Sequence, residues 1–345
     1  MKRIIYLTLV LSVIFTSCQN EPEFLEEKEK EIPSYLLNVP VEHQKIINQL
    51  GLDIATLVDM GDDYRLEGDI MLSKKDMNNY VYQPDSTGLK QGYVGGKLVN
   101  LIKAQNITIR IDASVPQSGT GSDWRQAVIR AINEWNNING TCLRFVYTTA
   151  STADITVKRT KSNDNNIAWT WLPSNGIPAK EIYVNSNFDN YHSKPFALAH
   201  EMGHSIGLLH AHLTAASQGG IVVPGTPDID NASIMSYNSD RSVIRFSNND
   251  LIAIRRLYPA DLPYLKVEKP PISVLGKCKI TLTNYQAGGF IPKNIIWSVS
   301  LTKGPTVHLS TTSIEVNPYY FMGKIQPFTV TASQDGRIIC MVDIK

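Results

Sequence analysis

The chain has 345 residues, of which 43% are apolar and 19% are charged. That length exceeds what one compact core commonly uses and predicts two or three domains of about 100 to 200 residues each. A formal net charge of +1 gives no electrostatic basis for a nucleic-acid partner, so this class of function is excluded.

The N-terminus has the composition of an export signal. Two basic residues precede a predominantly apolar run of twelve residues, 4–15, which is shorter than the ~20 residues that span a bilayer. The stretch FTSC resembles the lipobox of bacterial lipoproteins, in which the cysteine, here Cys18, carries the lipid. The alternative is a secreted protein with a cysteine near its cleavage site. We expect a signal peptide over residues 1–17, a charged tether over 18–40, and a lipoprotein anchored in the cell envelope or at its surface.

Residues 41–104 form a propeptide-like N-terminal region, and strands and helices then alternate in an order typical of an α+β domain over residues 105–262. The predicted strands are ITIRID, LRFVYTT, ADITVKR, IAWTWLP and EIYVNS. The predicted helices are SDWRQAVIRAINEWNNI, KPFALAHEMGHSIG and SNNDLIAIRRLYP, the last with a capping-box spacing of Ser247 and Asp250.

The remaining residues, 263–345, follow a Pro-rich joint and contain several short strand patterns. They predict a small all-β, Ig-like sandwich. In an oxidising compartment Cys278 can pair with Cys340, which leaves Cys142 as the odd thiol.

The stretch HEMGHSIGLLHAH contains four of the chain's seven histidines. His200 and His204 are four residues apart, so a helix places both imidazoles on the same face within reach of one ion. Gly207 can adopt a left-handed conformation that ends the helix, and the chain can then bend back so that His210 supplies a third nitrogen. Three histidines leave the fourth position of a zinc ion open for water, whose pKa falls to about 7 when bound.

Glu201 cannot share the direction of the histidine pair and is expected beside the metal, where a carboxylate can accept a proton from water. The alternative is a closed structural site with His212 as the fourth ligand. Such a site would not require a glutamate at position 201.

The chain resembles the metzincin zinc endopeptidases in two motifs, HEMGHSIGLLH and the SIMSY that follows at 233–237. Within metzincins, its HExGHxxG motif is most similar to that of the HEIGH-type metallopeptidases of bacterial lipoproteins. The resemblance covers about 155 residues, in the order found in matrixins. It implies a twisted mixed sheet with helices, an apolar Met-turn floor at Met235 beneath the zinc, and a transition-state role for Tyr237, as in astacins and serralysins. Most of the positions that bind calcium and structural zinc in matrixins are missing.

The stretch RLEGDIML is similar to the FxGD segment of astacin propeptides, although Leu66 replaces the phenylalanine. That resemblance makes Asp69 the candidate latency ligand at the zinc. The alternative is an ordinary Gly-Asp turn in a small N-terminal domain. A cut within QGYVGGKLVNLIK would remove the switch and release the catalytic unit from its lipid.

These observations predict a zinc-dependent endopeptidase that hydrolyses extended polypeptides. A substrate strand is expected along an edge strand at Ile167–Leu172, with a specificity pocket in the loop from His212 to Asp230. The partners are a protein or peptide substrate and a membrane, through the lipid anchor; nothing in the sequence indicates an oligomeric state. The alternative is a surface binding or adhesion lipoprotein with a structural metal site.

Overall fold

The computed structural model describes residues 38–50, 52–80, 98–213, 223, 225–237, 242–269, 278–283, 295–301, 304–310, 313–316, 320–321, 324–325, 328–334 and 337–344. The chain divides into two compact units, residues 1–39 and residues 40–345. The predicted signal peptide and Cys18 lie outside the described residues, as do most of the predicted cleavage stretch and residues 214–222 and 224 of the predicted pocket loop. None of the helices in the described residues has the length and apolar character needed to span a bilayer.

The N-terminal region of the second unit contains one helix and three short strands. They are α1 (Val41–Leu50), β1 (Val58–Asp59), β2 (Asp63–Leu66) and β3 (Ile70–Ser73). Two 3-10 helices cover Ile54–Thr56 and Lys74–Tyr80.

A short helix, α2 (Leu101–Ala104), precedes the first strand and was not predicted. The elements after it appear in the order predicted from the sequence. They are β4 (Ile107–Ile111), α3 (Trp124–Asn136), β5 (Phe145–Tyr147), β6 (Ile155–Thr160), β7 (Ala168–Trp171), β8 (Glu181–Asn185), α4 (Lys194–Ser205) and α5 (Asn248–Leu257). The Ser247–Asp250 capping box predicted at the start of α5 is confirmed.

A mixed sheet of eight strands has the order β1-β2-β3-β7-β8-β6-β4-β5. The pairs β4·β5, β4·β6 and β6·β8 are parallel, whereas β7 runs antiparallel to β8. The α+β class predicted from the sequence is therefore confirmed.

The prediction of a free edge at Ile167–Leu172 is wrong, because β7 lies inside the sheet. The N-terminal strand β3 pairs with it in parallel, with Ile70 opposite Thr170 and Met71 opposite Trp171. The strand that covers this edge comes from a region about 100 residues earlier in the chain, which local patterning does not reveal.

The main core lies between the sheet and the helices α3 and α4. Trp135 on α3 is fully buried, and its indole N–H donates to the Ala199 carbonyl of α4 at 3.0 Å. Tyr258, directly after α5, donates to the Ile206 carbonyl and accepts from the Val99 N–H at 3.1 Å. Val99 has no exposed surface, so the core includes residues that precede β4.

The C-terminal part consists of antiparallel strands in small sheets. They are β9 (Tyr264–Glu268), β10 (Cys278–Thr283), β11 (Ile295–Leu301), β12 (Gly304–Ser310), β13 (Ser313–Val316), β14 (Tyr320–Phe321), β15 (Lys324–Ile325), β16 (Phe328–Gln334) and β17 (Arg337–Ile344). The sheets have the orders β13-β10-β9, β12-β11-β16-β17 and β14-β15. The Ig-like assignment stays a prediction.

The expected disulfide is absent from the structure. Cys278 and Cys340 are both buried and both are free thiols, as is Cys142. Burial raises the pKa of the Cys340 thiol to about 12, which keeps it protonated and unreactive at neutral pH.

Candidate active site

Helix α4 carries the first two candidate ligands through the core. The helix begins after Ser193 with a proline in its first turn, where a missing N–H costs nothing. It ends because Gly207 adopts a left-handed φ of 106°. The chain then reverses, and the Leu208 N–H bonds to the Gly203 carbonyl at 3.0 Å.

The bend at Gly207 brings His210 beside the helical histidines. The Nε2 atom of His204 lies 3.0 Å from that of His200 and 3.2 Å from that of His210. All three rings are buried. The structure therefore assembles the three histidines that the sequence singled out.

Hydrogen bonds at the Nδ1 atoms of His200 and His204 fix the tautomer of these two rings. Nδ1 of His200 bonds to the Ile234 carbonyl at 2.8 Å, and Nδ1 of His204 bonds to the Leu208 carbonyl at 2.7 Å. Only an N–H can bond to a carbonyl, so each neutral ring carries its proton on Nδ1 and presents a lone pair at Nε2. Burial holds the pKa of His204 well below its ordinary value, which favours the neutral form that a metal requires.

Asp69 occupies the fourth corner of this cluster. Its Oδ1 lies 3.2 Å from His210 Nε2 and 3.8 Å from His204 Nε2, and its Oδ2 lies 3.4 Å from His200 Nε2. One donor atom from each of these four residues lies within 4.8 Å of the others. Burial would raise the pKa of Asp69, but the three histidines hold it well below its ordinary value. Three imidazole nitrogens and one carboxylate oxygen at this spacing suit a tetrahedral zinc ion.

The charge of Asp69 and Glu67 also acts on the third histidine. Burial lowers the pKa of His210, but the two carboxylates outweigh it and raise the pKa to about 9. His212, the alternative fourth ligand, is not part of the four-residue group; its Nδ1 lies 3.5 Å from the backbone N–H of Tyr237 instead.

Glu201 lies beside the cluster, as its position in the helix predicts. Its side chain is buried, and its Oε2 has no hydrogen-bond partner among the described residues. Burial, reinforced by the charge of Asp69, raises the pKa of Glu201 well above its ordinary value. With Asp69, Phe196, His200 and Tyr237 it lines a cavity of about 330 Å³.

Tyr237 reaches the same cavity from the loop after the histidines. Its hydroxyl oxygen lies 2.5 Å from Asp69 Oδ2 and 2.9 Å from the Glu67 carbonyl. Its ring centroid lies 4.6 Å from that of His210. Burial and the neighbouring Asp69 raise the pKa of this phenol above its ordinary value, so it remains a hydrogen-bond donor at neutral pH.

Met235 packs against the helix that carries the ligands. A Cβ atom on Gly203 would lie 2.3 Å from the Met235 sulfur, so only glycine permits this approach. Asp250 of α5 holds the turn in place, because its carboxylate accepts from the Ser233 hydroxyl and from the Ile234 N–H. The sequence identified Asp250 as a helix cap but not as a support for the site.

Glu67 is the site residue that sequence reasoning missed. Its carboxylate accepts from His210 Nδ1 at 2.7 Å, and both side chains are buried. The one available signal was an acidic residue two positions before Asp69 in RLEGD.

The family described as "Dual-action HEIGH metallo-peptidase" matches residues 64–258, which is more than half of the chain. The chain belongs to the HEIGH metallo-peptidases. The matched span of this HEIGH metallo-peptidase contains every candidate site residue from Glu67 to Tyr237. Family membership and the buried group of one aspartate and three histidines together indicate a metal ion.

Two solved structures of myroilysin are similar to this HEIGH metallo-peptidase. The first is 19% identical to this chain, and the alignment covers 48% of this chain and 97% of the myroilysin chain. The second is 18% identical, and its alignment covers 52% of this chain and 89% of the myroilysin chain. The TM-score is 0.33 in both cases. No curated protein matches the chain.

Proposed function

We propose that this HEIGH metallo-peptidase is a zinc-dependent endopeptidase of the metzincin type, exported as a lipoprotein and held latent by Asp69. One observation carries the proposal: three buried Nε2 atoms converge beside the buried carboxylate of Glu201, which lines a cavity and whose Oε2 has no hydrogen-bond partner among the described residues. His200, His204 and His210 would hold the ion.

Zinc, when bound, polarises a peptide carbonyl and lowers the pKa of a water molecule. Glu201 accepts a proton as the oxygen of water bonds to the carbonyl carbon. The same carboxylate then donates this proton to the nitrogen of the leaving amine as the C–N bond breaks. Tyr237 donates a hydrogen bond to the oxyanion that forms on the carbonyl oxygen.

The substrate would lie where β3 now lies. β3 pairs in parallel with β7 directly after Asp69, so the N-terminal segment covers both the strand next to the cavity and the metal site. An extended polypeptide can pair with β7 only after β3 has left. This arrangement supports a latent chain in which Asp69 and β3 block the site together.

Activation would follow from a cut between the two described regions that end at Tyr80 and begin at Leu98. Such a cut would separate Asp69 from the residues that bear the histidines and would release the peptidase from a lipid on Cys18. The cut must lie before Val99, because Val99 and Leu101 are fully buried in the core.

The proposed activity is tested with the full chain carrying an engineered protease site between residues 80 and 98, cut before assay. Glu201→Gln should keep one equivalent of zinc and lose turnover by about 10²-fold or more, because it removes the proton acceptor and no ligand. His204→Ala should lose both. Glu42→Gln, at an exposed glutamate of α1, is the matched control. Unchanged turnover in Glu201→Gln would refute the proposed role.

A second function is favoured by the position of Asp69, since a fourth protein ligand would close the site. A closed site is typical of structural zinc, and the chain would then be a surface binding lipoprotein. A hydroxamate inhibitor and a chelator distinguish the two functions. The enzyme, once cut, binds hydroxamate and loses zinc to the chelator, whereas a structural site does neither readily.

A further inference from the structure

The three histidines of the cluster differ in what holds their Nδ1 atoms. For His200 and His204 the acceptor is a backbone carbonyl close to the ligands themselves. For His210 it is the carboxylate of Glu67, which is 143 positions away in the chain and belongs to the N-terminal region. One of the three ligands thus depends on a segment that the proposed activation removes.

Glu67 is held firmly in this position. Its second carboxylate oxygen accepts from the Asp53 N–H at 3.0 Å, and its own N–H donates to the Thr56 hydroxyl at 2.8 Å. Its φ of 52° is in the left-handed region, which an ordinary side chain adopts only when its surroundings enforce it. Gly68 follows with a φ of 94°.

These two left-handed residues direct Glu67 and Asp69 to opposite nitrogens of one ring. Glu67 Oε2 lies 2.7 Å from Nδ1 of His210, and Asp69 Oδ1 lies 3.2 Å from its Nε2. A carboxylate at the far nitrogen of a ligating histidine orients the ring and makes it a stronger donor to the metal. Glu67 does not block the metal position, in contrast to Asp69.

We propose that Glu67 is a positioning residue for the metal ligand His210, so that the N-terminal segment strengthens metal binding at the site that it also closes. The inference rests on the proposed function only for the presence of a metal at the histidines. It implies that the chain acquires its metal before the segment leaves and holds the metal less tightly afterwards.

The test is the zinc dissociation constant of the uncut, full chain, measured by competition with a chromophoric chelator. Glu67→Ala should raise the constant by about 10- to 100-fold, the usual effect of losing such a partner. Glu67→Gln should fall between wild type and alanine, because it keeps the shape but has one acceptor oxygen for two donors, the Asp53 N–H and the His210 ring. Glu42→Gln should bind zinc as wild type does.

Thermal unfolding of the metal-free chains shows whether weaker zinc binding in a Glu67 variant comes from a general loss of structure. Glu67→Gln is the decisive variant if Glu67→Ala does not fold. Its metal-free chain should melt in one cooperative transition, at a lower temperature than wild type because the buried contact with His210 is weakened, and zinc binding is measured well below that temperature. The inference is overturned if the zinc dissociation constants of both folded variants lie within twofold of wild type. If Glu67→Ala does not fold, the same result for Glu67→Gln overturns it. The proposed activity fails separately, if zinc binds with this ranking but Glu201→Gln keeps full turnover. A wild-type chain without zinc would overturn both.

Discussion

The Tyr237 hydroxyl and the Asp69 carboxylate lie 2.5 Å apart, although 168 positions separate them in the chain. The residue proposed to hydrogen-bond the oxyanion is thus engaged by the residue proposed to enforce latency. Departure of the N-terminal segment would free the metal position and the tyrosine in one step.

Tyr237→Phe should lower kcat of the cut chain by about 10²-fold with little change in KM, because the lost hydrogen bond acts on the charge that develops in the transition state. Zinc content should not change. Peptide hydrolysis by the cut chain gives both constants. Tyr147→Phe, at an exposed tyrosine of β5, is the control, and an unaltered kcat in Tyr237→Phe would remove Tyr237 from the mechanism.

Asp69→Asn should give the uncut chain measurable activity on short peptides, because the amide lacks the charge that binds a metal ion and pairs with the histidines. Activity should stay below that of the cut chain, since β3 still covers β7. The comparison uses initial rates of uncut and cut chains, with Asp62→Asn, at an exposed aspartate, as control. A fully silent uncut variant would show that Asp69 is not needed for latency.

The sequence predicts best what depends on local spacing. The pairing of His200 with His204 and the bend at Gly207 follow from helix geometry over a few residues, and both are present. Asp69 was accessible only through a resemblance. The contact of Glu67 with His210 joins residues 143 positions apart, and the cover of β7 by β3 joins segments about as distant, so no local pattern predicts them.

The Gly203–Met235 contact illustrates the same division. A glycine inside a helix normally costs about 1 kcal/mol relative to alanine, so propensity alone would favour alanine at position 203. The structure shows why glycine is needed: the methyl group of an alanine at position 203 would lie only 2.3 Å from the Met235 sulfur.

Gly203→Ala should therefore lower the free energy of unfolding by roughly 1 to 2 kcal/mol, the overpacking cost less the gain in helix propensity. In a Met235→Ala background the same change should become neutral or stabilising, because the sulfur is gone. Urea unfolding of the four zinc-free chains measures this double-mutant cycle. Equal destabilisation in both backgrounds would mean that the methionine is not what excludes alanine.

Asp189 gives a prediction on stability and pH. Its carboxylate accepts from the indole N–H of Trp124 at 3.0 Å and pairs with Arg159, and Lys194 adds positive charge nearby. Although burial opposes it, these partners lower the pKa of Asp189 below its ordinary value of 3.8. A carboxylate whose pKa is lower in the folded than in the unfolded chain stabilises the fold at pH values above its unfolded pKa. This stabilisation is lost as the pH falls through its folded pKa.

Asp189→Asn should thus lower the free energy of unfolding by about 1 to 3 kcal/mol at pH 7. The difference from wild type should stay constant down to about pH 5 and shrink below 3.8. Urea unfolding of the metal-free chains at several pH values checks the trend. A difference in unfolding free energy between wild type and Asp189→Asn that grows as the pH falls would show that the pKa of Asp189 is not lowered by folding.

Latency and peptidase activity are tested together by peptide cleavage with one preparation before and after the engineered cut between residues 80 and 98. A diverse peptide mixture serves as substrate, with Glu201→Gln treated in parallel and products identified by mass spectrometry. The uncut wild type should hydrolyse little peptide, the cut wild type should hydrolyse it clearly, and cut Glu201→Gln should show no hydrolysis above background. Equal hydrolysis before and after the cut would contradict latency, and no hydrolysis by the cut, zinc-loaded wild type would contradict the proposed peptidase.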